Sequence, residues 1–238
     1  MKSDLDLALS YKTMQQLVTE KIRTAILDGT FKPNEKLNQW ALAKRLNVSR
    51  IPTREALRTL EGEGLIRFYP HRGAVVAAMT PHELKDVYEI RAVLEAKAAV
   101  GGMRRITLRK VAEMRRLERE MSRCSDPERW IELNDEFHLL LYQEGGAVRL
   151  LKVIETLRNW VAAYIRSMVR NDLGRTQANQ DHLRIVKAVE RRDSVGLRAA
   201  IQQHLRKSCD AVIASLGRAD LQERAAQLDG HNRARGKL

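Results

Sequence analysis

Asn38–Val76 reads NQWALAKRLNVSRIPTREALRTLEGEGLIRFYPHRGAVV, and its pattern decides the fold. Leu42, Ala43 and Leu46 fall at helical spacing, and Asn47 follows as a residue suited to a left-handed helix end. Val48 is expected to bury at the corner, and Ser49 stands where a side chain caps the next helix. Pro52 lies in that helix's first turn, where its missing N–H has no intrahelical partner to lose. From Arg50 to Glu63 the helix is two-faced. Thr53, Ala56, Leu57 and Leu60 share one side, while Arg50, Arg54 and Arg58, spaced by four, form a ridge along a neighbouring one. Gly62 and Gly64 mark its end. Leu65–Tyr69 favours a strand, Pro70–Gly73 a turn and Ala74–Val76 a second strand, giving a two-stranded hairpin. Helix, turn, arginine-ridged helix and basic wing describe a winged helix-turn-helix. In that architecture the second helix enters the major groove of duplex DNA and the wing follows the backbone.

Working outward, Met14, Leu17, Val18, Ile22, Ala25 and Ile26 trace one face of an earlier helix, with Thr13 and Gln16 in capping-box positions. Gly29 ends it. Phe31-Lys32-Pro33-Asn34 is a turn with Asn34 tolerating positive φ. The three-helix winged domain closes near Met79, so residues 1–79 form the first domain, its opening ten residues expected to be loose. Thr80-Pro81-His82-Glu83 then announces a new helix by cap, early proline and N3 glutamate. From there to about residue 217 the breakers punctuate helices alone, over about 81–100, 107–122, 127–144, 148–170, 175–191 and 194–216. Short connections between them predict an all-α antiparallel bundle. The fold class is therefore mostly α. Residues 218–238 are polar and basic and are expected to be a disordered tail.

The chain has 238 residues, enough for a buried core in each of two domains. Its net charge of +13 suits a polyanionic partner. Residues 1–79 carry 13 Lys and Arg against 8 Asp and Glu, and residues 80–216 carry 25 against 19. The excess is thus spread out, and the helix pattern, not the total, makes the case for DNA. Two cysteines, Cys124 and Cys209, read as reduced thiols, and the absence of a signal segment or an apolar span predicts a cytoplasmic protein with no membrane partner.

In the second domain, Asn134 and His138 lie four apart on one helix, accompanied by Leu133, Phe137 and Leu141, so their face is the buried one. His182 is in phase with Val186 and Val189, and His204 with Leu197, Ile201 and Leu205. Three histidines from three helices thus point inward. Two readings are open: hydrogen-bonded core histidines, or neutral ligands for a zinc-, nickel- or manganese-like divalent ion.

The stretch LNVSRIPTREALRTLEGEGLI resembles the DNA-binding core of GntR-type bacterial transcription regulators. The resemblance implies that Arg50, Arg54 and Arg58 face a double-stranded operator and that the wing tip His71-Arg72-Gly73 reaches the minor groove. Lys44 and Arg45 join Arg72 as expected backbone contacts. Many relatives show leucine, a polar residue, glutamate and arginine early in the preceding helix; Leu37-Asn38-Gln39-Trp40 departs from that. The Asn-Asp-Glu-Phe-His run, Asp181-His182 and Ala199–Leu205 are similar to the ligand segments of the FCD effector-binding domain. That resemblance implies a metal set of Asn134, His138, His182 and His204, with asparagine where aspartate is commoner. It also implies that Arg91 pairs with a small carboxylate effector; the alternative is a surface arginine near Glu95. Asp135, Glu136 and Asp181 adjoin the ligands in sequence and are expected on other helix faces, either supporting the ligands from behind or at the surface. The leading reading is a ligand-responsive regulator acting as a homodimer on a palindromic operator. The alternative is a metal-dependent enzyme with an accessory DNA-binding domain. No acidic residue outside the ligand set is expected to share the histidines' inward phase.

Overall fold

A computed structural model describes residues 12–145, 147–170 and 172–235, with the backbone alone from 218 onward. The chain forms two compact units that meet at Met79 and Thr80.

In the first unit, α1 (Met14–Leu27) begins with the Thr13–Gln16 capping box and buries Val18, Ile22 and Ile26. Asn34 takes φ 68°, as its turn requires. α2 (Gln39–Leu46) starts at Asn38, whose Oδ1 accepts from Trp40 N and Ala41 N. It ends at Asn47 with φ 53° and ψ 47°, the left-handed conformation that turns the chain into α3 (Arg50–Gly62). Asparagine tolerates this region because its short polar side chain costs less there than a branched one. Ser49 occupies the cap position of α3 but makes no side-chain cap hydrogen bond. Instead the Thr53 hydroxyl donates to Ser49 O at 3.1 Å. Val48 is half-buried at the corner.

α3 is the centre of this unit. Thr53, Ala56, Leu57 and Leu60 are fully buried and pack against α1. Each leucine contributes on the order of 1.5–3 kcal/mol of burial. Gly64, at φ 76°, turns the chain out of the helix. β2 (Ile66–Tyr69) and β3 (Gly73–Val76) form the expected hairpin, but the sheet has a third strand. β1 (Lys36–Leu37) pairs antiparallel with β3, giving the order β1-β3-β2. Two residues carry too little alternation to be read as a strand; the pairing is set by Asn34 N donating to Val76 O and Val76 N donating to Glu35 O.

The second unit is helical throughout its described residues: α4 (Pro81–Gly102), α5 (Leu108–Arg123), α6 (Pro127–Gln143), α7 (Val148–Val169), α8 (Asp172–Glu190) and α9 (Ser194–Arg235). α4 opens with the Thr80–Glu83 capping box, α6 with Asp126 and Pro127, and α9 with Asp193 Oδ1 accepting from Gly196 N. α9 packs on α4 and α8, and α5 on α6 and α8. Two boundaries differ from expectation. α8 begins near Asp172, with Arg175 already buried in its first turn. Past residue 217, where the tail was expected, the backbone continues α9 to Arg235. The expected breaker at Gly146 and the first ten residues lie outside the described residues.

Candidate nucleic-acid interface and candidate metal centre

The reading ridge follows from α3's geometry. With one face buried, residues spaced by four on the neighbouring side must stand in solvent, and Arg50, Arg54 and Arg58 are all exposed. Arg54 Nε lies 3.3 Å from Glu55, and Arg58 Nη1 lies 2.9 Å from Glu61. Arg58 also covers the Phe68 ring at 4.4 Å. Arg50 instead stands over the Trp40 ring, its guanidinium carbon 3.8 Å from the ring centre. Lys44 and Arg45 are exposed in the last turn of α2. At the hairpin tip His71, Arg72 and Gly73 are exposed, with φ 61° at His71 and 78° at Gly73. The tip is therefore a tight turn that projects its side chains.

The second constellation is buried in the bundle. α6 supplies Asn134 and His138, α8 supplies His182 and α9 supplies His204; all four are buried. One ring nitrogen from each histidine lies within 4.8 Å of the others. Ring centres are 5.2 Å apart for His138–His182, 4.8 Å for His182–His204 and 5.3 Å for His138–His204. Asn134, His138 and His204 line a cavity of about 20 Å³, room for about one water molecule. Arg91, Tyr88, Arg158 and Ser208 share its wall.

Burial, first, drives the imidazoles toward the neutral form. His138 and His182 are held well below the ordinary histidine value, and His204 is lowered to about 3. After burial, Arg158 and the two neighbouring histidines lower His138, His204 and Arg158 lower His182, and Arg91, Arg158 and Lys207 lower His204. Neutral imidazole is the ligand form. Both nitrogens of His182 and Nδ1 of His204 are buried without a hydrogen-bond partner. A core histidine satisfied by hydrogen bonds would not leave them so. The donor set, three neutral imidazoles from three helices, therefore fits a divalent ion. Asparagine could add a neutral carbonyl oxygen.

A chain of residues behind His138 escaped sequence reading. His138 Nδ1 lies 2.9 Å from Tyr142 Oη, and the Tyr142 hydroxyl donates to Glu95 Oε2 at 2.5 Å. Glu95 Oε1 accepts from Arg91 Nε at 2.7 Å. The hydroxyl has one proton, and a carboxylate only accepts, so Tyr142 Oη must accept from His138 Nδ1–H. That assigns the lone pair of His138 to Nε2. Tyr142 is one helical step of four beyond His138, so the i, i+4, i+8 series from Asn134 was the available signal.

Arg91 is not the surface arginine of the alternative reading. It is buried in its ion pair with Glu95, its carbon 4.7 Å from the Tyr88 ring, and its Nη1 has no hydrogen-bond partner. Burial opposes its charge, and the Glu95 carboxylate outweighs that, holding it protonated. One expectation about acids is corrected: Glu95 shares the inward face. Asp181, 2% exposed, stands beside the ligand set and not at the surface, one of the two places expected for it. Asp181 is paired with Arg184 and with Lys207 at 3.2 Å, and its Oδ2 lies 4.0 Å from His204 Nδ1. The apolar neighbours of Asp181 were too few in sequence to reveal its burial. Asp135 and Glu136 are exposed, Asp135 holding Arg158 at 2.6 Å.

Residues 14–76 match the family described as bacterial regulatory proteins, gntR family, and residues 86–207 match the FCD domain. The chain belongs to the GntR family, in the branch that carries an FCD domain. It is a DNA-binding transcription regulator of that type and not an enzyme, as its named relatives also are. It is similar to the Nta operon transcriptional regulator of Aminobacter aminovorans, 29% identical over 77% of this chain and 87% of that one. The transcriptional repressor RspR of Escherichia coli (strain K12) is 28% identical over 84% of this chain and 89% of its own. Among solved structures, E. coli McbR/YncC matches 87% of this chain and 100% of its own with a TM-score of 0.75 at 20% identity, a likeness of fold. A GntR regulator from Rhodococcus sp. RHA1 matches with a TM-score of 0.68 at 25% identity, over 87% of this chain and 99% of its own. No helix among the described residues is long and apolar enough to cross a membrane.

Proposed function

We propose that this regulator binds a palindromic operator as a homodimer and senses a small carboxylate at a divalent metal site in its helical domain. His138, His182 and His204 would hold the ion, with Asn134 as the fourth protein ligand; the ion is zinc-, nickel- or manganese-like. When bound, it supplies a Lewis-acidic position for a carboxylate oxygen. The observation that carries this reading is the convergence of three buried imidazoles, with both nitrogens of His182 and Nδ1 of His204 unpartnered, beside Arg91, whose Nη1 is buried and unpaired. A buried guanidinium N–H without a partner is costly, and an anion satisfies it.

In the winged unit, Arg50 and Arg54 would read guanine edges, each good bidentate contact giving ~1–3 kcal/mol of discrimination. Arg58, Lys44, Arg45, His71, Arg72 and Gly73 would follow the backbone and the wing-side groove, adding salt-dependent affinity. Two-fold symmetry in the protein would be mirrored in the operator.

The test combines metal analysis with ligand binding. Purified protein is analysed for zinc, nickel and manganese, stripped with a chelator, and titrated with each ion and then with a panel of small mono-, di- and tricarboxylates. The expected result is about one ion per chain, lost in His182→Ala, and carboxylate binding that requires the ion and fails in Arg91→Ala. A protein that binds no ion from the panel and responds equally with His182 removed would leave the histidines as core residues only.

A further inference from the structure

The three ridge arginines are not equivalent. Arg54 and Arg58 each share their guanidinium with a carboxylate, Glu55 and Glu61. The Arg50 guanidinium makes no ion pair or hydrogen bond among the described residues; its contact is the face of Trp40 at 3.8 Å. Trp40 is itself 66% exposed, at the start of α2, and the adjacent Ile51 is 68% exposed at the start of α3. An indole left in solvent at that place does nothing for the core.

We infer that Trp40 is a specificity-determining residue of the DNA-reading face: it is the shelf that holds Arg50 ready to read a guanine. A cation–π contact engages the flat face of the guanidinium and spends none of its five N–H donors. A salt bridge would occupy part of that donor edge and would have to be broken, with desolvation, before a base could be read. Stacking therefore fixes the orientation of Arg50 while leaving its donor fork free for the O6 and N7 of one guanine. Rotamer freedom lost before binding is not lost on binding, so the stack strengthens the contact without touching the base itself. Trp40 acts through Arg50, and the inference rests on the reading of Arg50 as a base-contacting residue.

The experiment is a double-mutant cycle on operator affinity. The probe is a duplex selected from a random-sequence pool by the wild-type protein. Wild type, Trp40→Ala, Arg50→Ala and the double variant are compared for affinity, and selection is repeated with each. An exposed cation–π pair of about 0.5–1 kcal/mol corresponds to roughly two- to five-fold in affinity. Trp40→Ala is expected to weaken binding by about that factor and to relax the same guanine preference that Arg50→Ala abolishes. In the Arg50→Ala background it should have no further effect. Trp40→Phe, which keeps an aromatic face, should restore most of the preference, and thermal unfolding should be unchanged in both Trp40 variants. Additive effects of the two alanine substitutions, or an unchanged preference in Trp40→Ala with Arg50→Ala defective, would overturn the shelf alone. An Arg50→Ala protein with wild-type affinity and preference would overturn both the shelf and the assignment of Arg50.

Discussion

At the scale of single residues, Tyr142 is the most instructive side chain, because its hydroxyl is both acceptor for His138 and donor to Glu95. Tyr142→Phe removes both bonds at once and leaves a buried carboxylate oxygen and a buried ring N–H unmatched. The expected loss of stability is about 1–3 kcal/mol in chemical unfolding. If the proposed ion is present, its affinity should also fall by ~10–100-fold, the usual effect of losing the group that orients a ligating histidine. An unchanged unfolding midpoint would show that the hydroxyl contributes nothing there. The same buried set makes stability depend on pH. His138, His182 and His204 have folded values below the unfolded one, so the unfolded chain binds protons first as pH falls. Their contribution is complete above the unfolded value of ~6.5 and is lost on acidification through that value toward the folded ones. For His204, lowered to about 3, the loss at pH 5 is about 2 kcal/mol. Denaturant unfolding of metal-free protein at pH 8 and pH 5 measures the sum for the three histidines, and His204→Gln should shrink the difference by about the His204 share.

At the scale of elements, α4 and α6 meet where two glycines let the backbones approach. A Cβ on Gly102 would lie 2.7 Å from the backbone carbon of Glu144, and one on Gly145 would lie 2.6 Å from Ala98 O. Both partners are backbone and cannot swing aside. Gly102→Ala is therefore expected to destabilise by about 1–3 kcal/mol, whereas Gly101→Ala, which meets nothing within 4 Å, should be neutral or slightly stabilising. Equal unfolding midpoints for the two variants would contradict the close approach. Sequence showed both glycines only as helix stops. What it exposed well were features with a local cause: the capping boxes at Thr13 and Thr80, the left-handed Asn47, and the inward phase of His138, His182 and His204. Each depends on neighbours within a turn or two. What it hid depends on other elements. The pairing of β1 needs β3, the burial of Asp181 needs Lys207 and His204, and the role of Glu95 needs Tyr142 from another helix.

At the scale of the whole molecule, the +13 charge and the proposed sensing site make separable contributions to operator binding. Neutralising a residue that touches only phosphate should lower affinity on all sequences and reduce the slope of log affinity against log salt by about 1. Lys44→Ala, Arg45→Ala and Arg72→Ala are expected to behave so, while Arg54→Ala should also relax base preference. The sensing site must act differently. A bound carboxylate changes operator affinity only through a difference in its own affinity for free and DNA-bound protein. That difference is reciprocal: if saturating carboxylate changes operator affinity by a given factor, operator must change carboxylate affinity by the same factor per dimer. Calorimetric titration of carboxylate into the metal-loaded protein, with and without a selected duplex, gives one factor. Gel shifts with and without carboxylate give the other. The two factors should agree, with a magnitude of about 5–150-fold if coupling is of ordinary strength. The salt slope should stay nearly constant between the two liganded states if the ligand alters how the reading helices are presented and leaves the phosphate contacts in number as they were. A slope that falls by several phosphate equivalents would mean that the ligand removes a whole reading head from the duplex.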